Sequence, residues 1–501
     1  METAIHWFRR DLRLSDNTAF ARAAREYGAV LPVFVLDPHL LTAKDIGAPR
    51  VAFLLDSLHV LKQRLAERGL PLIVRRGDPR TVLPELARAC GASAVLANRD
   101  YGPYGRRRDA AVEAALRESG VRWHDDADLL LVEPWECVKN DGSPYTVFTP
   151  WARRWRAVKK AGPERVPRVS APRSRTRKPI VVGSIPTLSD LGLQVEADIQ
   201  AGGEIAAQRR LRRFAASRIG QYQSNRNLPA IDGTSGLSAH LKFGTISPRQ
   251  VYAAAAQFIG TEYVDLDPAR PGRPVPREAA ARLREAGAFV TELCWRDFYQ
   301  AVAFHFPRVL GGPFRARFEQ LRWPERRPEI IDAWVSGRTG FPIVDAGMRQ
   351  LALTGWMHNR LRMLTASFLT KILLVDWQIG ERVFMQRLVD GDPAANNGGW
   401  QWCASTGTDA TPYFRIFNPT LQSRKFDPEG RYIRRWVPEL AGVEAPSIHE
   451  PARDPAILAR TGYPPPCVDY AARRAEALDL LGSASAGASR VRASVSQKSL
   501  W

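Results

Sequence analysis

The sequence predicts an α/β N-terminal domain, built on a doubly wound parallel sheet, followed by an all-α C-terminal domain. Residues 1–130 alternate short apolar runs with helical patterns, a rhythm typical of parallel sheets covered by helices. From residue 203 onward, helical patterns follow one another and strand signals are almost absent. At 501 residues and 45% hydrophobic composition, the chain is long enough for two or three domains. We assign the α/β domain to 1–130 and the helical domain to 203–481.

The strands and helices of the N-terminal domain can be assigned in order. AIHWF and VLPVFVLD predict the first two strands, and FLLDSLHVLKQRLAERG predicts the helix after them. PLIVRRG and SAVLAN predict further strands, with the helical patterns TVLPELARACG and DAAVEAALRESG after each in turn. No GxGxxG follows the first strand, and no GxxxxGK[ST] occurs in the chain. The main cofactor is therefore expected outside this domain.

The helical domain is preceded by a predicted linker and followed by a predicted tail. Within the linker, 131–202, the run 153–179 holds eleven Lys and Arg against one acid, Glu164. That pattern is typical of a solvated charged loop, with a DNA-tracking segment as the alternative. The tail, 482–501, is rich in Ser and Ala and is predicted to be disordered. The helical patterns between them are LRRFAASRIGQY, SPRQVYAAAAQF, PREAAARLREAGAFVTELCWRDFYQAVAFHF, EIIDAWVSG and VDAGMRQLALTGWMHNRLRMLTASFLTKILL.

Charge and cysteine content narrow the class of protein. A net charge of +20 favours a polyanionic partner such as nucleic acid, although abundant Arg and Ala also fit a GC-rich genome. The five cysteines are scattered without metal-ligand spacing, so neither a disulfide framework nor a metal site is expected. No apolar run reaches the roughly 18 residues that span a bilayer, and no signal-peptide core is present. We expect a soluble, cytoplasmic monomer.

The segment 389–419, VDGDPAANNGGWQWCASTGTDATPYFRIFNP, shows neither helical nor strand periodicity and is predicted to be a cofactor loop. Its carboxylates bring fixed negative charge, its amides donate and accept, and its Gly-Gly pair lets backbone approach a flat ring. Its indoles supply polarisable aromatic surface. The side chains concerned are Asp390, Asp392, Asn396, Asn397, Trp400 and Trp402.

Two helix faces carry further candidate residues, because helical spacing brings mixed polar and aromatic groups together. One face holds Glu292, Trp295, Arg296 and Tyr299. The other holds Trp356, Asn359, Arg360 and Met363. Each residue alone fits a core or surface position, but jointly they suit a planar polar ligand flanked by phosphates, as a nucleobase is.

A hydroxyl- and glycine-rich turn precedes another helical pattern. Its free N–H groups are suited to phosphate, although a Ser or Thr before a helix is commonly only a cap. The turn consists of Thr234, Ser235, Gly236, Leu237 and Ser238.

These motifs identify the chain as a member of the photolyase/cryptochrome family, and it resembles class I cyclobutane pyrimidine dimer photolyases in particular. The resemblance covers nearly the whole chain, and its segments follow the family's order and spacing. They are HWFRRDLRLSDN, DGTSGLS, ELCWRDFYQ, GWMHNRLRM and DGDPAANNGGWQWCASTGTDATPYFRIFNP.

The resemblance implies a U-shaped FAD in the helical domain and a pyrimidine dimer flipped out of DNA beside it. The residues implied around FAD are Tyr222, the turn 234–238, Phe289, Arg362, Asp390, Gly391, Asp392 and Asn396, which would face the flavin N5. The residues implied around the dimer and its DNA strand are Arg226, Glu292, Trp295, Arg296, Asn359, Arg360, Met363 and Trp402.

The implied reaction is light-driven repair. Excited FADH⁻ gives one electron to the dimer, the cyclobutane ring splits, and the electron returns to the flavin. A protonated Glu292 is expected to stabilise the negative charge that the dimer gains. Trp400, Trp377 and Trp323 match the family's electron-transfer triad, which reduces oxidised flavin from the surface inward.

A cryptochrome-type blue-light photoreceptor without repair activity is the alternative function. Plant-type cryptochromes generally carry Asp opposite N5, and Asn396 cannot protonate the flavin as an acid can, which favours repair. Photolyases for the 6-4 lesion place histidines where this chain has Asn359 and Met363. An antenna chromophore is also expected in the α/β domain. The segment Asn98–Tyr104, with Lys242, resembles relatives that bind 8-hydroxy-deazaflavin more than those that bind methenyltetrahydrofolate.

Overall fold

The computed structural model describes residues 2–43, 46–172, 181–267, 274–324 and 327–497, with side chains described through residue 484. A parallel five-stranded sheet with strand order β3-β2-β1-β4-β5 forms the N-terminal domain. Its strands are β1 (Thr3–Phe8), β2 (Ala29–Leu36), β3 (Ile73–Arg76), β4 (Ala92–Asn98) and β5 (Arg122–Asp126). The predicted doubly wound sheet is confirmed, with one strand more than the apolar pattern shows, because RWHDD at β5 is mostly polar. No helix in the described ranges is long and apolar enough to cross a membrane.

Helices cover both faces of the sheet and form the rest of the chain. The first six are α1 (Thr18–Glu26), α2 (Pro38–Leu41), α3 (Ala48–Ala66), α4 (Pro79–Cys90), α5 (Pro103–Glu118) and α6 (Phe148–Ala157). The next seven are α7 (Gly203–Ser217), α8 (Tyr222–Asn225), α9 (Ser238–Phe243), α10 (Pro248–Ile259), α11 (Arg277–His305), α12 (Pro328–Ser336) and α13 (Pro342–Thr354). The last seven are α14 (Asn359–Lys371), α15 (Trp377–Arg387), α16 (Pro393–Ala404), α17 (Pro419–Phe426), α18 (Arg431–Trp436), α19 (Pro455–Thr461) and α20 (Tyr470–Gln497).

Helix α6 lies inside the predicted linker and is packed rather than solvated. Its Trp151 and Trp155 are buried, and the Trp155 Nε1 donates to Asp297 of α11 at 3.0 Å. The prediction of a solvated loop over 153–179 is therefore wrong for this part, because two indoles four residues apart give the helix an apolar face despite its arginines. Lys159, Lys160, Arg165 and Arg168 follow α6 in a described stretch without helix or strand, whereas Arg173, Arg175, Arg177 and Lys178 lie outside the described residues.

The end of the chain also differs from the prediction. Helix α20 continues through Gln497, so most of the segment 482–501, predicted to be disordered, is helical here. Its alanines favour helix, and glycine is sparse in it. Residues 498–501 lie outside the described residues.

A buried charge network joins the sheet domain to the helical domain. The Asp128 carboxylate forms ion pairs with the guanidinium groups of Arg13 and of Arg249 on α10, with N–O distances of 2.6 Å and 2.7 Å. Burial opposes ionisation of this carboxyl, but the two guanidinium groups hold the pKa of Asp128 low, at about 2. Nearby, Gly244 ends α9 with φ +61°, and a Cβ there would overlap the carbonyl of Arg10. Because these contacts bring the loop after β1 onto α9, that loop reaches the site described next.

Candidate active site

A cavity of about 500 Å³ opens in the helical domain, a size in the range of small-molecule sites. Helices α11, α14 and α16 form its walls, and the turn before α9 closes one end. The predicted site residues that line it are Tyr222, Arg226, Thr234, Ser235, Gly236, Leu237, Ser238, Phe289, Glu292, Trp295, Arg296, Asn359, Arg362, Met363, Asp390, Gly391, Asp392, Asn396, Trp400 and Trp402. Arg360, Trp377 and Trp323 were also predicted but are not among its lining residues.

The predicted cofactor loop 389–419 contains helix α16. The Asp392 side chain caps this helix by accepting from the backbone N–H groups of Ala394 and Ala395, and Pro393 follows the cap. The prediction of a non-helical segment is wrong because α16 packs against α11, α14 and α15, so no single apolar stripe marks it. A Cβ at Gly398 would overlap the Tyr299 ring, which explains the small residues on that side.

Asp390 carries an unused acceptor at the cavity wall. One of its carboxylate oxygens accepts from Arg362 at 2.8 Å, and the Arg362 Nε also donates to the Met357 carbonyl. The other oxygen, Oδ1, is buried and makes no hydrogen bond within the described structure. A buried carboxylate oxygen without a donor is costly, so this atom is suited to an N–H group of a ligand.

Asp392 is the most heavily paired carboxylate of the site. Its carboxylate forms ion pairs with Arg10 at 2.6 Å and with the Lys242 Nζ at 3.7 Å, and it accepts a hydrogen bond from Gln300 at 2.8 Å. Burial would raise the pKa of Asp392, but Arg10, Lys242 and Arg296 hold it far below its usual value. Burial, together with the charge of Arg10, lowers the pKa of Lys242 to about 7. This cluster therefore links the β1 loop, α9 and α16 through charge.

The turn 234–238 presents hydroxyl and backbone groups at one end of the cavity. Gly236 has φ +61°, and a Cβ there would overlap the guanidinium of Arg210. That guanidinium therefore lies against the turn, and burial lowers its pKa. Hydroxyls, N–H groups and a guanidinium suit a phosphate. Sequence reasoning missed Arg210, because it is one of four arginines on α7 and nothing in the local pattern separates it from the others.

Glu292 and Arg226, which also line the cavity, form an ion pair of 2.7 Å. Burial raises the pKa of Glu292, while the Arg226 guanidinium acts against that rise. Trp295, one turn along α11, stacks on Phe148 of α6 with ring centroids 3.5 Å apart. This contact fixes the indole plane in the wall, and it explains why α6 belongs to the site.

Asn359 and Met363 lie on one face of α14, with the amide nitrogen 3.9 Å from the thioether sulfur. Arg360 points away from the cavity lining, donates to Asn227 at 2.6 Å and lies over the Phe426 ring. It is therefore placed beside the cavity rather than within it.

Arg296 lines the cavity but is not a surface residue. Its guanidinium donates to the carbonyls of Leu129 at 2.7 Å and Leu241 at 3.4 Å, and it lies beside Asp297. These partners hold it at the junction of the two domains. Its predicted contact with DNA or the dimer stays a prediction, since helical spacing gives a shared face but not the depth along it.

Asn396 is anchored through its amide nitrogen, which donates to the Glu381 carbonyl at 3.0 Å. The amide oxygen is then the atom that remains for a ligand in the cavity. The next residue, Asn397, is buried and bonds to Glu381 and Gln401 instead. Of the two adjacent asparagines, only Asn396 lines the cavity.

The three predicted electron-transfer tryptophans share one apolar core. Trp400 and Trp377 are buried, and Trp323 is partly buried at its edge. The ring contacts of Trp400 are with Phe384 at 4.9 Å and Trp334 at 6.1 Å. A Cβ at Gly380 would overlap the Trp400 indole, so α15 approaches it closely. Trp400 thus joins the cavity wall to the core that holds the other two.

Comparisons with known proteins agree with this architecture. The family model described as DNA photolyase matches residues 4–172, and the FAD binding domain of DNA photolyase matches residues 289–483. Deoxyribodipyrimidine photo-lyase of a Synechococcus strain is 42% identical, with 94% of each chain covered. The Escherichia coli protein of the same name is 40% identical over 95% of this chain and 98% of its own.

Solved structures give the same result. A bacterial class III photolyase from Agrobacterium tumefaciens has a TM-score of 0.85 at 36% identity, covering 97% of this chain and 98% of its own. A Synechocystis cryptochrome has a TM-score of 0.82 at 27% identity, covering 96% and 99%.

The chain therefore belongs to the photolyase/cryptochrome family, whose members pair an α/β domain with a helical FAD-binding domain. Its curated relatives are enzymes, and within the family the chain falls among the deoxyribodipyrimidine photo-lyases, which act in DNA photorepair. The helical domain is accordingly an FAD-binding domain, and residues 289–483, which match that family model, supply much of the cavity lining.

Proposed function

We propose that the chain repairs cyclobutane pyrimidine dimers by light-driven electron transfer from fully reduced FAD to a dimer flipped into the cavity. The observation that supports this best is the division of one cavity into two walls of different chemistry. One wall offers Asp390, Asn396 and the turn 234–238, and the other offers Glu292 and Trp295. Flavin and dimer must be near contact for the transfer, and a shared cavity provides that.

The polar groups of the first wall fit FAD. The unused Oδ1 of Asp390 suits an N–H of the flavin ring, and the Asn396 amide oxygen suits a second N–H. The turn 234–238 with Arg210 suits the pyrophosphate. When bound in its reduced form, FAD supplies an excited-state electron donor.

The second wall fits a pair of stacked pyrimidines. Trp295 and Trp402 offer flat surface, and Met363 offers a polarisable thioether next to the Asn359 amide. Glu292 is the carboxyl placed where it can donate to a pyrimidine carbonyl if it carries a proton. Arg226 and Arg360 bring positive charge to the same end, which suits the DNA strand.

Repair of a defined lesion tests this proposal. An oligonucleotide with one thymine dimer is mixed with the FAD-reduced protein and illuminated, and restored thymines are quantified by chromatography against a dark sample. Restoration that requires light supports the proposal. Selective binding of the lesion without repair, in protein whose FAD is fully reduced, would favour the photoreceptor alternative that the cryptochrome likeness keeps open.

Glu292→Gln is expected to keep most of the repair yield, because the amide N–H₂ replaces the donor of a protonated carboxyl. Glu292→Ala removes that donor and is expected to lower the yield roughly tenfold, in line with about 1.5 kcal/mol for a hydrogen bond to a charged group. The measurement is the repair yield per absorbed photon for both variants. Complete loss of repair in Glu292→Gln would argue against a neutral Glu292.

We propose further that a second chromophore binds the α/β domain, and that it is a deazaflavin rather than a folate. The loops after β1 and β4 meet where the strand order reverses, which is the usual ligand position in such sheets. Asp100 lies there, beside Arg10 and Arg108. The buried cation Lys242 lies near Arg10, and a deazaflavin carries an acidic group that such cations would hold.

Absorption of the purified holoprotein distinguishes the two chromophores. We expect a band characteristic of 8-hydroxy-deazaflavin in addition to that of FAD, and expect Lys242→Met to weaken the deazaflavin band relative to the FAD band. A folate-like band in the wild-type protein would contradict the assignment. Reconstitution of the protein with added deazaflavin controls for a host that does not make it.

A further inference from the structure

The ion pair between Arg226 and Glu292 stands at the lesion end of the cavity. Arg226 follows α8, and Glu292 belongs to the middle of α11, so the 2.7 Å contact joins two elements across that end. Both side chains are partly exposed, at 26% and 31%. The carboxyl group that the proposed repair needs as a donor is therefore held by a neighbouring cation when no lesion is bound.

We propose that lesion binding exchanges the partner of Arg226 from Glu292 to a DNA phosphate, and that Glu292 then takes up a proton from solvent. This inference rests on the proposed function. The exchange balances in charge: an ion pair and a phosphate anion, with one added proton, become a neutral carboxyl and a guanidinium–phosphate pair.

A DNA phosphate is expected to compete with Glu292 for the Arg226 guanidinium. Its guanidinium is near that of Arg360, and it lies over the Tyr222 ring with 5.7 Å between its carbon and the ring centroid. A DNA strand brings phosphate oxygens to this rim, and guanidinium binds phosphate through two parallel hydrogen bonds. Flipping a dimer into the cavity places the adjoining phosphates beside it.

Two changes on lesion binding then favour protonation of Glu292. A flipped dimer covers the end of the cavity and removes Glu292 from water, and Arg226, its ion-pair partner among the described residues, has moved away. Burial already raises the pKa of Glu292, and Arg226 is the group that opposes this. In the complex, both changes act in the same direction.

The tyrosines and the histidine around Glu292 do not titrate near neutral pH. Burial raises the pKa of the Tyr222 and Tyr299 hydroxyls, so both stay protonated. Burial and the nearby arginines lower the pKa of His358 to about 4, so it stays neutral. The charged and titratable groups on the surrounding elements are Arg226 after α8, Tyr222 on α8, Arg296 and Tyr299 on α11, and His358, Arg360 and Arg362 at or on α14.

Proton uptake would separate lesions from intact DNA. Undamaged duplex binds the arginine-rich rim through phosphates but leaves the cavity open to water, so Glu292 keeps its ionised form. Only a flipped dimer both covers the carboxylate and offers it a carbonyl acceptor. Lesion binding is therefore expected to weaken by up to about tenfold per pH unit above the pKa of free Glu292, while binding of undamaged DNA does not.

Calorimetric titration in buffers of different ionisation enthalpy measures the proton uptake directly. The reduced holoprotein is titrated in the dark with dimer-containing and undamaged oligonucleotides over a series of pH values. For the wild type we expect uptake that rises towards one proton per dimer and falls again at higher pH, and none for undamaged DNA. Glu292→Gln is expected to abolish it. Lys242, whose pKa is about 7, is retained in that variant, so the difference isolates Glu292.

Arg226→Gln provides an independent check. Without the ion pair, Glu292 is already protonated at a higher pH in the free protein, so the uptake is expected to shift to higher pH and to shrink at neutral pH. Equal uptake by wild type and Glu292→Gln would overturn the inference. If wild type still repairs dimers in that case, the proposed function stands, whereas absence of both selective binding and repair would remove the proposed function itself.

Discussion

Asp392→Asn is expected to lower the free energy of unfolding by roughly 2–3 kcal/mol and to leave the purified protein with little FAD. The neutral amide leaves Arg10 and Lys242 without the carboxylate that pairs them; loss of one partner from a fully buried pair costs about 3–5 kcal/mol, and the partial exposure of these side chains reduces that cost. The amide also caps α16 less strongly at the cavity wall. The measurements are denaturant unfolding of the apoprotein and the FAD absorbance of the protein as purified.

Asp390→Asn is the matched control. Asp390 is also a cavity carboxylate, but its ion pair with Arg362 lies within the helical domain. We expect it to reduce FAD binding with a smaller loss of stability. Equal losses of stability in the two variants would contradict a special role for Asp392 at the domain junction.

The effect of Asp392 has a defined pH dependence. An unfolded Asp titrates near pH 4, and the folded pKa of Asp392 is held far below that by its cations. The stabilisation is therefore complete above about pH 4 and is lost as pH falls from there towards the folded pKa. The difference between wild type and Asp392→Asn is expected to be full at neutral pH and to shrink in acid.

Trp400→Phe is expected to slow photoreduction of oxidised FAD by at least roughly tenfold, equivalent to about 1.4 kcal/mol in the barrier. A phenyl ring gives up an electron far less readily than an indole, and Trp400 is the member of the predicted triad that lines the cavity. The rate of flavin reduction under blue light with an external reductant measures this. Repair by chemically reduced enzyme bypasses the step and should be largely retained.

Trp334→Phe is the control for Trp400. Trp334 is buried in the same core and stacks on the same Phe384 ring, with 6.2 Å between centroids. It was not predicted to belong to the triad, and its Nε1 donates to the Thr365 carbonyl. If Trp334→Phe slows photoreduction as much as Trp400→Phe, the path runs through Trp334 rather than Trp377.

The sequence predicted the type and order of the secondary-structure elements better than it predicted how they pack. Alternation of strands and helices predicted the parallel sheet, because a strand buried on both faces consists of a continuous run of apolar residues that can be recognised in the sequence. The same logic failed at α6 and α16. In α6 the arginines outnumber the two indoles whose apolar face sets its position, so the segment resembles a charged loop, and α16 is surrounded on several sides, so it shows no single apolar stripe.

Long-range partners were the other part that could not be predicted. Spacing placed Glu292 and Trp295 on one face, but not Arg226 opposite the first or Phe148 under the second, because those contacts join segments far apart in the chain. Arg296 shows the same limit, since a shared face did not reveal that it ends among backbone carbonyls. The sequence showed which chemical groups the site contains. How deeply each side chain is buried, and which residues it contacts, could be determined only from the folded structure.

The Trp400 indole has a consequence for how far a positive charge can travel. Its Nε1 is buried and has no hydrogen-bond acceptor within the described structure. An indole that has lost an electron is a much stronger acid, but without an acceptor its N–H proton has nowhere to go. We expect oxidised Trp400 to remain a radical cation, whose positive charge can pass to another tryptophan in the core. It would not be trapped by loss of the N–H proton at the cavity wall.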